Sequence, residues 1–173
     1  MKYNATKVVH DHESQNRWRG RQNMYPETIV IHSTGSDFHS AHNTILNPGS
    51  DVSYHYIVDR DGHVHRYVHP DHAAWHAGEI IEPEWGRLIE SANPNNYTIG
   101  VAFVSEYPQN MNFLQAIAGG RLLADLCNYY QIKPADPFII CHDQINKGKQ
   151  VPCDTIRMTA LIRFAWLFTK LYR

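Results

Sequence analysis

Two short runs, Thr28-Ile-Val-Ile-His-Ser33 and Pro137-Phe-Ile-Ile-Cys-His142, constrain the fold most, because each is apolar through its centre and each stops on a histidine. An apolar run of this length without polar alternation reads as a strand buried on both faces, which requires helices on each side of the sheet. Thr98 to Val104 is a third such run. Ser53 to Val58 and His63 to Val68 form two further strands around Asp59-Arg-Asp-Gly62, a hairpin signal because glycine accepts a positive φ.

Helical patterns fall between and after these strands. Residues from about 37 to 46 form a short helix capped by Ser36 or Asp37 and stopped by Asn47-Pro48-Gly49. Asn112 to Tyr130 is a long helix with Phe113, Ile117, Leu122, Leu123 and Leu126 as its apolar positions, and Gly119-Gly120 lets it approach the sheet closely. Asp154 or Thr155 caps a last helix that runs to about Tyr172. Strands interleaved with helices over 173 residues predict a single α/β domain with a mixed central β-sheet flanked by helices. Residues 1–26 are polar and aperiodic, so they read as an N-terminal extension packed on a domain spanning 27–173. His69 to Tyr97 has prolines, tryptophans and no period, and is expected to be a long functional loop with one helical turn near residues 83–90.

Sixteen basic against seventeen acidic residues leave a formal charge of −1, which excludes a partner read as a polyanion: no nucleic acid is expected, and no polybasic membrane anchor. The first twenty-two residues lack the apolar centre of a signal peptide, so the chain is expected to be made in the cytoplasm without one. Three cysteines without a CxxC pair argue against a disulfide framework and for a ligand or buried thiols. Twelve histidines, many of them between His32 and His76, fit metal or proton-transfer chemistry near neutral pH, although a polar surface rich in histidine accounts for most of them.

His32 and His142, each at the end of a buried strand, and Cys153, eleven residues beyond His142, are donors of the types zinc prefers. Three protein ligands leave a fourth position open, as in a catalytic site, where the metal would lower the pKa of water to about 7 and polarise a carbonyl. Strand-end histidines with ordinary hydrogen bonds, beside an inert thiol, would give the same spacing.

Ile29-Val-Ile-His-Ser-Thr34, Ser53-Tyr-His-Tyr-Ile-Val-Asp-Arg-Asp-Gly62, Ala74-Trp-His-Ala-Gly78, Asn96-Tyr-Thr-Ile-Gly-Val101 and Cys141-His142 occur in an order that resembles the type-2 N-acetylmuramoyl-L-alanine amidases. That family includes phage lysozymes of the amidase type, bacterial recycling amidases and animal peptidoglycan recognition proteins. The resemblance runs from about Thr28 to the last helix. It implies zinc at one edge of the sheet, held by His32, His142 and Cys153, and a groove for peptidoglycan, a glycan strand with its stem peptide. The bond cut would be the amide between N-acetylmuramic acid and L-alanine. The resemblance further implies Tyr54 as the hydroxyl that orients water or the scissile carbonyl, and Thr34, Trp75, His76, Ala77 and Asn96 as substrate-binding positions.

Two departures sharpen the expectation. Recycling amidases carry a glutamate in the strand after their Ile-Gly, whereas this chain has Ile99-Gly-Val-Ala-Phe103, which points towards the tyrosine-using branches. The lysine or threonine usually two residues before the third ligand is replaced by Val151, leaving Lys149 to stabilise an oxyanion if the loop is longer. Cys153 is preferred to Asp154 as ligand because thiolate is the softer donor. The expected protein is a monomeric, phage-type endolysin that reaches the wall after the host membrane is permeabilised. A non-catalytic peptidoglycan-binding module is the alternative. A zinc nucleobase deaminase is excluded because Pro152-Cys153 has no second cysteine at position 156.

Overall fold

The computed structural model describes residues 10–106, 110–149 and 155–171. Strand β3 (Thr28–Ser33) lies inside a six-stranded sheet, and its alternation splits the protein into two faces. Ile29 and Ile31 point into the larger core, while Val30 and His32 point to the opposite face. The sheet also contains β1 (His10–Asp11), β4 (Tyr56–Val58), β5 (Val64–Arg66), β7 (Thr98–Phe103) and β8 (Ile139–Cys141), in the order β1-β5-β4-β7-β3-β8. β3 runs parallel to both β7 and β8, β4 runs parallel to β7, and β5 turns back antiparallel through Gly62 at φ 86°. The sheet is therefore mixed. A separate ribbon pairs β2 (Arg17–Trp18) with β6 (Ala73–Ala74).

Helices cover both faces. On one, α2 (Phe113–Tyr130) and α3 (Thr155–Leu171) pack over Ile29, Ile31, Tyr56, Val101 and Ile139; each such side chain contributes roughly 1.5–3 kcal/mol by leaving water. On the other, α1 (Phe38–Leu46), capped by Asp37, sets Ala41 and Ile45 against Ile57, Tyr67 and Ala102. α2 begins with a capping box in which Asn112 accepts from the Gln115 backbone at 2.9 Å and the Gln115 side chain accepts from the Asn112 backbone at 3.1 Å. The amide nitrogen of Gln115 donates to the carbonyls of Val58 and Val104, tying the helix to the ends of two strands.

The paired glycines of α2 serve two neighbours. A Cβ on Gly119 would meet the Phe103 ring at 2.6 Å, and one on Gly120 would meet the Phe164 Cβ at 2.4 Å, so one admits the sheet and the other admits α3. The polar segment before Pro26 supplies β1, one of the two edge strands, and buries Ser14, Asn16 and Arg21. Residues 83–90 form no helix: Trp85 stacks on Tyr97 at 5.8 Å and donates to the Pro137 carbonyl at 3.1 Å. Its apolar residues are spent on a small second core with Val30 and Ile140, and the turn that does form is the 3-10 helix Pro94–Asn96. The strands around Gly62 are shorter than their apolar runs. Ser53 is drawn off instead, its hydroxyl donating to the Asn16 carbonyl and accepting from the Trp75 backbone.

Candidate metal centre and substrate cleft

The parallel pairing of β3 with β8 carries both chains out of the sheet side by side, which brings His32 and His142 together with ring centroids 4.5 Å apart. Cys141, one residue earlier, points into the core beside Ile29 and Ile31. The histidine pair lies in a cleft of about 520 Å³ whose walls include Tyr54, Trp75, His76 and Lys149. Tyr54 stands with its ring centroid 4.9 Å from that of His32.

The hydrogen bonds fix where the protons are. Thr98 Oγ1 donates to the Pro94 carbonyl at 2.7 Å, so towards His76 Nε2 at 3.2 Å it can only accept. His76 Nδ1 is then a lone pair and accepts from His32 Nε2 at 3.1 Å. His32 is left with a free lone pair on Nδ1. His142 Nε2 donates to the Ala77 carbonyl at 2.8 Å, which leaves its Nδ1 free as well. Both rings thus have one nitrogen held by the protein and the other available, the arrangement in which metal-binding histidines are oriented.

Burial keeps these rings neutral. It lowers the His32 pKa well below the ordinary range, with His142 and His76 as further causes. It lowers that of His142 and brings His76 to about 3, so each is an uncharged donor at neutral pH. Burial also pushes Tyr54 up to about 12, leaving its hydroxyl protonated. Neutral imidazoles with free nitrogens fit a zinc ion. Among the described residues no three histidine, cysteine or acidic side chains gather around one point. Cys153 and Asp154, the competing third ligands, and Val151 lie outside the described residues.

The remaining candidates separate by position. Trp75 lines the cleft, half-buried, with the Trp18 ring 6.0 Å away. Lys149 stands at the rim, near enough that its charge helps depress His32. Thr34 and Asn96 are engaged elsewhere, Thr34 Oγ1 with Ser36 and the Ser105 backbone, Asn96 with Gln22. Ala77 enters through its carbonyl alone, as the acceptor for His142.

Three residues carry the site without having stood out in the sequence. Asn95 Oδ1 accepts from the backbone nitrogens of His76 and Ala77, at 3.1 and 2.8 Å, and so pins the loop that holds both histidines. A Cβ on Gly100 would lie 2.5 Å from the His76 ring, so the glycine inside β7 makes room for that ring; an unneeded glycine in a strand is its signal. Asp51, at φ 54°, is the one carboxylate among the described residues lining the cleft. Turn chemistry in Asn47-Pro48-Gly49 foretells a loop there but not its direction.

The geometry defines an α/β protein whose neighbouring parallel strands deliver two neutral histidines to one cleft. Residues 22–154 match the family model described as N-acetylmuramoyl-L-alanine amidase, and the chain belongs to that family. Comparison with curated proteins found no match. Among solved structures, a selenomethionine derivative of AmpD is 20% identical with a TM-score of 0.69, covering 93% of this chain and 98% of that one. A mutant endolysin from Bacillus subtilis is 18% identical with a TM-score of 0.66, covering 90% and 98%. AmiD from E. coli, in complex with its substrate anhydro-N-acetylmuramic acid-L-Ala-D-gamma-Glu-L-Lys, is 25% identical with a TM-score of 0.61, covering 76% of this chain and 55% of that one.

Proposed function

We propose that the protein is a zinc-dependent amidase that hydrolyses the bond between N-acetylmuramic acid and L-alanine in peptidoglycan, with His32, His142 and Cys153 as the metal ligands. The observation that carries this reading is the pair of free Nδ1 lone pairs, each set by a hydrogen bond on the opposite nitrogen. Zinc held there supplies a Lewis acid that activates water and polarises the scissile carbonyl. Tyr54, kept protonated by burial, donates a hydrogen bond to the carbonyl oxygen as negative charge develops on it, and Lys149 adds positive charge from the rim. His76 positions His32, while Trp75 offers an aromatic face to sugar or peptide. His76 is thus assigned to holding a ligand rather than to contacting substrate.

AmiD's substrate complex and the family match support peptidoglycan as the substrate here. Ala102, packed against Ile57 and Ala41 in the strand where recycling amidases carry a glutamate, supports the endolysin-type role, with Tyr54 in place of that acid. The test is digestion of purified peptidoglycan with zinc-loaded and chelator-treated protein, followed by mass spectrometry. Stem peptides beginning with L-alanine, released only with metal, are expected. Wall that stays intact yet retains the protein would instead make this a binding module.

A further inference from the structure

The balance of charge is far from uniform along the chain. Of the sixteen basic residues four, and of the seventeen acidic residues none, lie in 155–173, leaving twelve basic against seventeen acidic in 1–154. The net charge of −1 conceals a basic terminal helix on an acidic body.

That helix is also apolar on the wrong side. Leu161, Ala165 and Thr169 are buried against the rest of the protein, as the spacing of an inward face requires. The opposite face displays Trp166 at 50% exposure, Leu167 at 45% and Leu171 at 65%, interleaved with exposed Arg163 and Lys170. The apolar surface continues onto α2, where Phe113, 68% exposed, meets the edge of Phe164 at 6.4 Å. Lys170 Nζ lies 3.7 Å from the centre of the Trp166 ring. Large apolar side chains clustered on a surface mark a place of contact, and the charges among them decide with what. A second copy meeting this one by the same helix face would set Arg163 and Lys170 against their own equivalents, which like-charge repulsion opposes.

We propose that the outer face of α3, with Phe113 of α2, docks on an anionic lipid surface. The helix would lie in the plane of the interface, its tryptophan and leucines entering the headgroup boundary and its cations pairing with lipid phosphates. No helix among the described residues is long and apolar enough to cross a membrane, so the contact is peripheral. Such docking would hold the catalytic cleft near a membrane face, independently of what the cleft cuts.

The test is sedimentation of the full chain with vesicles of phosphatidylcholine alone and of phosphatidylcholine with about one third phosphatidylglycerol. Binding at least about tenfold stronger to the anionic vesicles is expected, and it should weaken as salt is raised. A Leu167→Asp and Leu171→Asp double variant, and an Arg163→Glu and Lys170→Glu double variant, should each lose that binding while keeping helical circular dichroism and peptidoglycan hydrolysis unchanged. Equal binding to both vesicles, or variants that bind as well as the parent, would overturn the proposal. So would light scattering that finds a dimer which the leucine variant dissolves, since the patch would then belong to a second copy.

Discussion

Three histidines in the cleft and four at an edge of the sheet differ in what holds them. In the cleft, His32, His76 and His142 are joined by directional bonds that end on Thr98 and on the Ala77 carbonyl, so every proton has an address. At the far edge of the sheet, His10, His12, His63 and His65 meet mainly ring to ring: His10 stacks on His65 at 4.7 Å and His12 on His65 at 5.6 Å. Among the described residues, the hydrogen bond that joins nitrogens of this group, His12 to His65 at 3.3 Å, is long. A histidine-rich composition therefore supplies candidates for metal chemistry, and the ordering of protons separates a site from a stack.

Removing the ordered ligands should have the largest effect. His32→Ala is expected to cost at least about a thousandfold in amidase turnover, whereas His65→Ala should stay within about twofold; equal losses would erase the contrast. His76→Ala, which removes the partner of His32 without removing a ligand, should weaken zinc affinity about 10–100-fold, and Gly100→Ala, by driving a methyl into that ring, should weaken it in the same direction. Competition against a chromogenic chelator reads both. Tyr54→Phe is expected to lower kcat about tenfold with bound zinc unchanged; full turnover would assign that hydroxyl to packing.

The smallest effect concerns the edge. Burial, with His10 and His12 as further causes, lowers the His65 pKa to about 4. The unfolded chain therefore binds more protons than the folded one between about pH 4 and 6.5, and stability rises with pH across that window. The contribution is fully present above about 6.5 and is lost as pH falls through 4. His65→Gln should flatten that part of a urea-unfolding series; an unchanged slope would show that the stack does not hold the ring neutral.

The sequence disclosed those parts of the fold whose signals are local. β3 was legible from its β-branched run, the β4–β5 hairpin from Gly62, α1 from Asp37, which is the observed cap, and α2 from the apolar positions Phe113 to Leu126. What it hid depends on distant partners. β1, β2 and β6 are two residues each, too short for any period, and exist because β5 or each other lies alongside. The helical turn expected near residues 83–90 is absent for the same reason, its tryptophan being fixed by Tyr97 and Pro137. In the site, the motifs brought forward His32, Tyr54, Trp75 and His142. The service of Asn95 to the loop of His76 was invisible, because an asparagine accepting two backbone hydrogens looks like any turn residue. Whole-chain charge likewise averages the basic α3 against an acidic body.

The most direct test of the account is the zinc content of three proteins titrated after chelation: the parent, His32→Ala and His65→Ala. One tightly held zinc in the parent and in His65→Ala, with none in His32→Ala, is the predicted result. Zinc retained by His32→Ala, or lost from His65→Ala, would place the metal outside the cleft and contradict it.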